Sequence, residues 1–526
     1  MTSPDPTPHT LSIVVPVYRT NHRHLREMLD SVLAQDDPHW QLVVVDDHSG
    51  EADLTEILDS YARRDRRIII EVMEQNGGIG AATAHGIDRA TGDYIALLDH
   101  DDMLTADAVR RVLDAVRAEP DADVLYSNEF RVDEAGAHPY RFLKPDFSPE
   151  RLRSQMYFGH LVVYSRHVLQ RIGGMRLGYD GSQDYDLALR ASEIARRVVH
   201  IPRSIYKWRI HDSSVSHAKG NDRVFDSARR ALTEHLARVG IDGVVEQTHD
   251  EGVYRIRRRL TDSPLVSIII PTRGSIGTVD DHERVFVIEA VRSVIERSTY
   301  RNYEIIVVWD TGTPQSVLDA LVALDPDRVR LVEYDLPFNF SAKINRGAVV
   351  AHGEYFLMLN DDVELIDPDW LEVMLAHFAA EDVGMVGSVL YFEDGTVQHA
   401  GHLYEGGNAG HIGIGEKADW VGVAKELHVE REVSGVTAAC SVVRAELFFR
   451  VGGMSTTLPV NYNDVDFCLK VAQAGYRIIV TPYARMYHYE SQTRISGVHP
   501  NEWRELNDRW GRLMLRDRFE PFPHRY

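Results

Sequence analysis

Ile95-Ala96-Leu97-Leu98-Asp99-His100-Asp101-Asp102 runs four apolar residues directly into an acid, a spacer and two more acids. An apolar run bounded by polar residues reads as a buried strand, here one that ends in carboxylates. Open α/β sheets bind ligands at the carboxyl ends of their strands. Asp99 and Asp101 therefore form an Asp-x-Asp that can offer two hard oxygen ligands to Mg²⁺ or Mn²⁺ beside a diphosphate. A solvated acidic turn would carry the same residues, so the rest of the chain has to decide.

Upstream, Leu11-Ser12-Ile13-Val14-Val15-Pro16 reads as a first buried strand leading into a turn. Leu25, Met28, Leu29, Val32 and Leu33 then recur at helical spacing. Leu42-Val43-Val44-Val45-Asp46-Asp47 is a second strand that also ends in acids. A helix over residues 54–61 and a third strand at residues 68–72 precede Asn76-Gly77-Gly78-Ile79-Gly80. This alternation is the signature of a parallel α/β sheet.

The same order returns in the second half. Ser267-Ile268-Ile269-Ile270-Pro271 repeats the first strand, and Glu304-Ile305-Ile306-Val307-Val308-Trp309-Asp310 the second. The segment from Gly353 to Asp362 matches that from Gly92 to Asp101 position for position. Gly173-Gly174-Met175 pairs with Gly452-Gly453-Met454, and Asp184-Tyr185-Asp186-Leu187 with Asp464-Val465-Asp466-Phe467. The matches keep their order, which predicts an α/β chain with two tandem copies of one domain, each on a mostly parallel central sheet. The expected boundaries are a disordered N-terminus over 1–10, a first domain over 11–222 and a helical linker over 223–263. A second domain over 264–498 and a C-terminal amphipathic helix and tail over 499–526 complete the chain.

On these residues the chain resembles the family 2 glycosyltransferases, which have the GT-A fold. The likeness rests on Pro16, Asp46 with Asp47, the Asp99–Asp101 motif and Asp184. In the second half it rests on Pro271, Asp310, Asp362 and the run Tyr462-Asn463-Asp464-Val465-Asp466-Phe467-Cys468. It is nearest to bacterial tandem-domain enzymes that build rhamnose- or galactose-containing cell-surface polysaccharides. The resemblance implies a nucleotide-diphospho-sugar donor (UDP-, dTDP- or GDP-linked), a glycan or lipid-linked glycan acceptor, and Mn²⁺ or Mg²⁺.

It also implies roles. Asp101 and Asp362 would be metal ligands, with Asp99 and its replacement Asn360 beside them on the substrate. Asp46 would hold the nucleotide, with Asp47 next to it; in the second half Asp310 remains while Thr311 stands for Asp47. Asp184 and Asp464 would be the bases that take the acceptor proton, giving direct displacement with inversion. Gln183 and Asn463 stand where family members often carry Glu. A helix N-cap is the bland role for both bases, and the two roles are compatible. His488 would be a third metal ligand, and His211 is the candidate in the first half. Ala84 stands where the family usually carries Asn.

Asn76-Gly77-Gly78-Ile79-Gly80 lacks the third glycine of a dinucleotide loop and does not follow the first strand, so it reads as a flexible loop near the nucleotide. Between Asp362 and Gly453 the second copy is longer than the first is between Asp101 and Gly174. The insertion holds His399, His402 and His411; lacking cysteines and HxxxH spacing, it reads as an acceptor-binding or lid loop rather than a zinc site.

The net charge is −22, from 58 basic and 80 acidic residues. That argues against nucleic acid as the main partner, because phosphate contact needs clustered Lys and Arg. Cys440 and Cys468 read as buried small hydrophobes. Residues 1–10 lack the basic and apolar regions of a signal peptide, and no apolar run is long enough to span a bilayer. The expectation is a cytoplasmic protein, with the inner face of the cell membrane as its workplace if the acceptor is lipid-linked. Trp503, Leu506, Trp510, Leu513 and Met514 mark a C-terminal face for docking on the second domain or for peripheral membrane contact. The two copies leave open transfer at both sites in turn, or catalysis by one module while the other holds the acceptor. Two other readings stand beside transfer: a non-catalytic glycan- or nucleotide-binding scaffold, and a nucleotidyltransferase, for which no basic glycine-rich loop follows Pro16.

Overall fold

The computed structural model describes residues 9–210, 222–279, 282–422, 424–489 and 499–520. The chain divides into two compact units. The first runs to Phe147 and includes Gln155–Ile241 and Val245–Tyr254; the second comprises Ser148–Ser154, Asp242–Val244 and the chain from Arg255.

In the first unit the strands are β1 (Leu11–Val17), β2 (Trp40–Asp46), β3 (Ile68–Val72), β4 (Tyr94–Leu97), β5 (Met103–Leu104), β6 (Ala122–Val132), β7 (Tyr140–Phe142), β8 (Val162–Ser165) and β9 (Arg197–Arg209). They lie in the order β3-β2-β1-β4-β8-β6-β9-β5, with β7 on the edge of β6. β1 runs parallel to β2 and β4, and β8 is antiparallel to β4. Every residue of β1 and β2 is buried, as a parallel sheet covered on both faces requires. A proline inside such a strand would forfeit a ladder bond. Pro16 escapes this because the pairing of β1 with β4 ends at Val14–Leu97.

The second unit repeats the arrangement. Its strands are β10 (Val266–Thr272), β11 (Tyr303–Asp310), β12 (Val329–Tyr334), β13 (Tyr355–Leu359), β14 (Val363–Leu365), β15 (Val383–Tyr391), β16 (Val397–His399), β17 (His402–Glu405), β18 (Asn408–His411), β19 (Arg431–Glu432), β20 (Cys440–Arg444) and β21 (Arg477–His488). The order β12-β11-β10-β13-β20-β15-β21-β14 is that of the first sheet, strand for strand. Gly92 and Gly353 recur for one reason: a Cβ on either would lie 2.7 or 2.5 Å from the backbone nitrogen of Ser12 or Ser267.

Both cysteines are buried and free. The helix Asp222–Arg238, expected to link the halves, belongs to the first unit. Its Glu234 pairs with Arg176 (2.8 Å) and its His235 with Glu193 (2.7 Å). The C-terminal helix Pro500–Trp510 docks within the second unit: Leu506 and Met514 are fully buried in one cluster with Tyr404, Val465 and Leu469. The expected single face is divided, since Leu513 stays exposed. Among the described residues no helix is long and apolar enough to cross a membrane.

Candidate functional site

In the first unit Leu98 still donates to the Val14 carbonyl (3.0 Å), so Asp99 is the first residue released from the ladder. The side chains of Asp99 and Asp101 are 41% and 22% exposed. Asp102 is sealed beneath them, accepting from the Tyr206 hydroxyl (2.5 Å) and the Arg209 amide (2.7 Å). Burial, with Asp99 and Asp101 adding, pushes its carboxyl well above the usual range. This third acid ties the motif to β9 and leaves the first two facing outward.

Helix α1 (Ile79–Arg89) follows β3, and α2 (Gln183–Ile194) carries Asp184 in its first turn. Asp184 accepts the Tyr185 amide (2.8 Å) from within the first turn; the N-cap position belongs to Ser182, so Asp184 is not the helix cap that its bland reading expected. Burial pushes its carboxyl up, His160 opposes and the Asp99 charge adds to the rise. His160, which the sequence reading missed, thus joins the two acids: its Nε2 lies 3.8 Å from Asp99 Oδ2. Its ring stacks on Tyr206, and the buried Lys144–Glu129 pair (2.9 Å) grips its backbone carbonyl and amide. A histidine two residues before a strand whose neighbour ends in acids was the available signal. Gln183 Oε1 is buried with no hydrogen-bond partner among the described residues. His211 lies outside the described residues.

Asp46 accepts the Ser49 amide (3.0 Å). Asp47 is committed to its own loop: its oxygens take Asn76 Nδ2 (2.9 Å) and the amides of Gly77 (2.7 Å) and Gly78 (2.8 Å). The loop expected to be flexible is therefore clamped, and Asp47 positions it.

The second unit corrects one pairing. Thr272 faces Trp309 across β10 and β11 as Val17 faces Asp46 across β1 and β2. Trp309 therefore stands at Asp46, and Asp310 at Asp47, one residue off the expected match; the sequence offered two adjacent acids against one and no register. Asp310 meets Lys343 (2.8 Å), a fully buried amine on α3 (Phe340–Val350) that also donates to the Thr272 carbonyl (2.6 Å). Here a lysine does for Asp310 what loop amides do for Asp47.

Asn360, Asp362 and His488 come together. His488 Nδ1 faces Gln398 Oε1 (2.6 Å), which makes it the protonated nitrogen and leaves a lone pair on Nε2. Asn360 Nδ2 lies 3.0 Å from that Nε2, and Asp362 Oδ1 lies 3.0 Å from it too. Asp362 Oδ1 is buried and accepts no hydrogen bond among the described residues. An orphaned carboxylate oxygen facing an imidazole lone pair suits a shared divalent cation, so these residues fit the metal that the resemblance implies. Asp361 is turned inward to Thr272 Oγ1 (2.6 Å); burial and the Asp362 charge push its carboxyl up to about 6.

Asp464 sits in the first turn of α4 (Asn463–Gln473) and accepts the Val465 amide (2.8 Å), while Asn463 Oδ1 accepts the Asp464 amide (2.8 Å). Burial works to raise the Asp464 carboxyl, but His402 and His411 outweigh it and hold it well below the usual range. His402 Nε2 lies 3.6 Å from Asp464 Oδ2. The inserted hairpin β17–β18 pairs His402 with His411, so the insertion lines this acid.

One buried set has ligand-like spacing elsewhere: Glu150, His377 and Glu430. Arg258 occupies it, pairing with Glu150 and with Glu430 (2.8 Å). This is a structural charge cluster of the second unit.

Sheets of this order, with acids beyond the central strand and at a helix start, define the GT-A class of nucleotide-diphospho-sugar transferase folds. The family model described as "Glycosyl transferase family 2" matches residues 12–173 and 267–448, and the chain belongs to that family. It is 38% identical over 492 residues to the uncharacterized protein y4gI of Sinorhizobium fredii, covering 92% of this chain and 53% of that protein. It is 35% identical over 500 residues to the O-antigen biosynthesis protein RfbC of Myxococcus xanthus, covering 93% and 38%. The chain thus spans about half or less of the length of these relatives. A solved structure of S. aureus TarS in complex with UDP-GlcNAc aligns with a TM-score of 0.37 at 21% identity, over 43% of this chain and 66% of that one.

Proposed function

We propose that the chain is a metal-dependent, inverting glycosyltransferase of cell-surface polysaccharide synthesis, with one site in each unit and a separate linkage made at each. The observation that carries this reading is the twofold convergence of a strand-end acid and a helix-start acid. In the first unit the Asp99 charge helps raise the Asp184 carboxyl beside His160. In the second, Asp362 meets His488 while Asp464 meets His402. Kinship to an O-antigen biosynthesis protein supports the polysaccharide assignment.

The donor is a nucleotide-diphospho-sugar and the acceptor a glycan hydroxyl. Asp184 or Asp464 removes the acceptor proton as the hydroxyl attacks the anomeric carbon, and the sugar–phosphate bond breaks on the opposite face. Asp101 in the first unit, and Asp362 with His488 in the second, would hold the Mn²⁺ or Mg²⁺, which when bound supplies Lewis-acid stabilisation of the leaving diphosphate. Asp46 contacts the nucleotide, with Asp99 and Asn360 on its sugar-phosphate side; Gln183 and Asn463 flank the bases. Asp47 holds the loop at residues 76–78, and the Asp310–Lys343 pair plays that part in the second unit.

The test is nucleotide release from UDP-, dTDP- and GDP-sugars with Mn²⁺ or Mg²⁺ and then EDTA, using cell-envelope extract as acceptor. Two EDTA-sensitive activities, one lost in Asp184→Asn and the other in Asp464→Asn, support a two-linkage enzyme. Loss in only one variant leaves the other unit as an acceptor-holding module. Glycan binding without turnover of any donor replaces the reading with a scaffold.

A further inference from the structure

The inserted hairpin gives the second unit a hydrogen-bond chain with a fixed direction. The Thr437 amide donates to His399 Nε2 (3.1 Å). A backbone N–H can only donate, so His399 Nε2 carries the lone pair and, in the neutral ring, Nδ1 carries the proton. His399 Nδ1 lies 2.7 Å from His411 Nδ1. His411 Nδ1 is then the acceptor, and its proton sits on Nε2. His399 is fully buried, whereas His411 is half-buried. Burial, with the neighbouring imidazoles adding, pushes His399 well below the usual histidine range and His411 down to about 4, so both rings are neutral near pH 7.

We infer that His411 is an acceptor-binding residue of the second site, presenting its Nε2–H as a fixed hydrogen-bond donor to an oxygen of the incoming glycan. Three observations give it that place. No hydrogen-bond partner for Nε2 exists among the described residues. The Asp464 charge acts on the His411 imidazole, opposing the effect of its burial. His402, the cross-strand partner of His411, approaches Asp464 directly. His399 is a positioning residue that selects the tautomer. Zinc does not compete for this cluster: among the described residues His399, His402 and His411 do not form a set with metal-ligand spacing. The inference rests on the transferase reading for its ligand class, a carbohydrate hydroxyl, but not for its tautomers.

The experiment has two arms on the full chain. Long-range proton–nitrogen spectra of histidine-labelled protein, assigned with His399→Phe and His411→Gln, should show His399 as the Nδ1–H form and His411 as the Nε2–H form. His411 as the Nδ1–H form overturns the inference. In the second arm, p-nitrophenyl hexosides serve as acceptor probes in the Asp184→Asn background. His411→Ala should raise the acceptor KM about tenfold, the worth of one hydrogen bond. His411→Gln, which keeps an N–H at the tip, should restore it. Equal acceptor KM in all three proteins overturns the inference. Should no transfer occur, the same probes are titrated against the His411 Nε2 signal: a saturable shift upholds the inference while the transferase reading falls, and no shift sinks both.

Discussion

His402 Nε2 stands 3.6 Å from Asp464 Oδ2, whereas in the first unit the comparable imidazole, His160, stands 3.8 Å from Asp99. The second site sets a histidine on each acid, His402 on Asp464 and His488 on Asp362, whereas in the first site the single imidazole His160 serves both Asp99 and Asp184. The two carboxylates assigned as bases consequently sit on opposite sides of the ordinary range, Asp184 above it and Asp464 below it.

The first prediction concerns pH. A base must be deprotonated, so a raised carboxyl fails earlier as pH falls. With Asp464→Asn isolating the first site and Asp184→Asn the second, the acid limb of kcat/KM for the first should lie at higher pH. Coincident limbs would remove the argument.

Removing either base should cost its own linkage at least about a hundredfold in kcat and leave the other linkage within about twofold. Product analysis by mass spectrometry reads the two linkages separately. Loss of both from one substitution would mean that the sites work as a single centre.

Metal binding should be lost selectively. Asp362→Asn and His488→Ala remove the paired donors of the second unit and should weaken Mn²⁺ there by about tenfold or more. Paramagnetic resonance titration checks this in the absence of substrate. Unchanged occupancy of that site would exclude the assignment.

Acid stability should report the buried cluster around Arg258. Burial disfavours the Glu430 carboxylate, but His377 and Arg258 prevail and lower it from 4.5 to about 2. A depressed carboxyl contributes stability above its unfolded value that is lost as pH falls toward its folded one. Urea unfolding of Glu430→Gln should therefore differ most from the parent above about pH 5, with the gap closing toward pH 2. A gap that widens in acid would refute it. Arg258→Met should cost about 3–5 kcal/mol, since it strands two buried carboxylates.

Much of this architecture was legible because two kinds of signal are local. All-apolar strands ending in acids located the sheets and Asp99, Asp101 and Asp362, and an acid at a helix start located Asp184 and Asp464. What stayed hidden depends on the third dimension. Asp47 and Asp310 looked like ligand contacts, yet Asp47 spends its oxygens on Asn76, Gly77 and Gly78, and Asp310 meets Lys343. No spacing rule couples residue 310 to residue 343 or reveals the register that sets Trp309 against Thr272. His160 and His402 come from non-equivalent elements, so comparing the halves could not find one from the other.

The membership of Ser148–Ser154 in the second unit bears on how this chain could be shortened. A gene cut between the repeats would seem natural from the sequence, giving two free-standing enzymes. The half begun near Arg255 would lack Glu150 and Ser148, the partners of Arg258 and Glu432, and would expose a buried guanidinium to the loss of one of its two counter-charges. The duplication has therefore become irreversible in a practical sense: each copy kept its own sheet, but a seven-residue loan from the earlier copy now belongs to the later one's core.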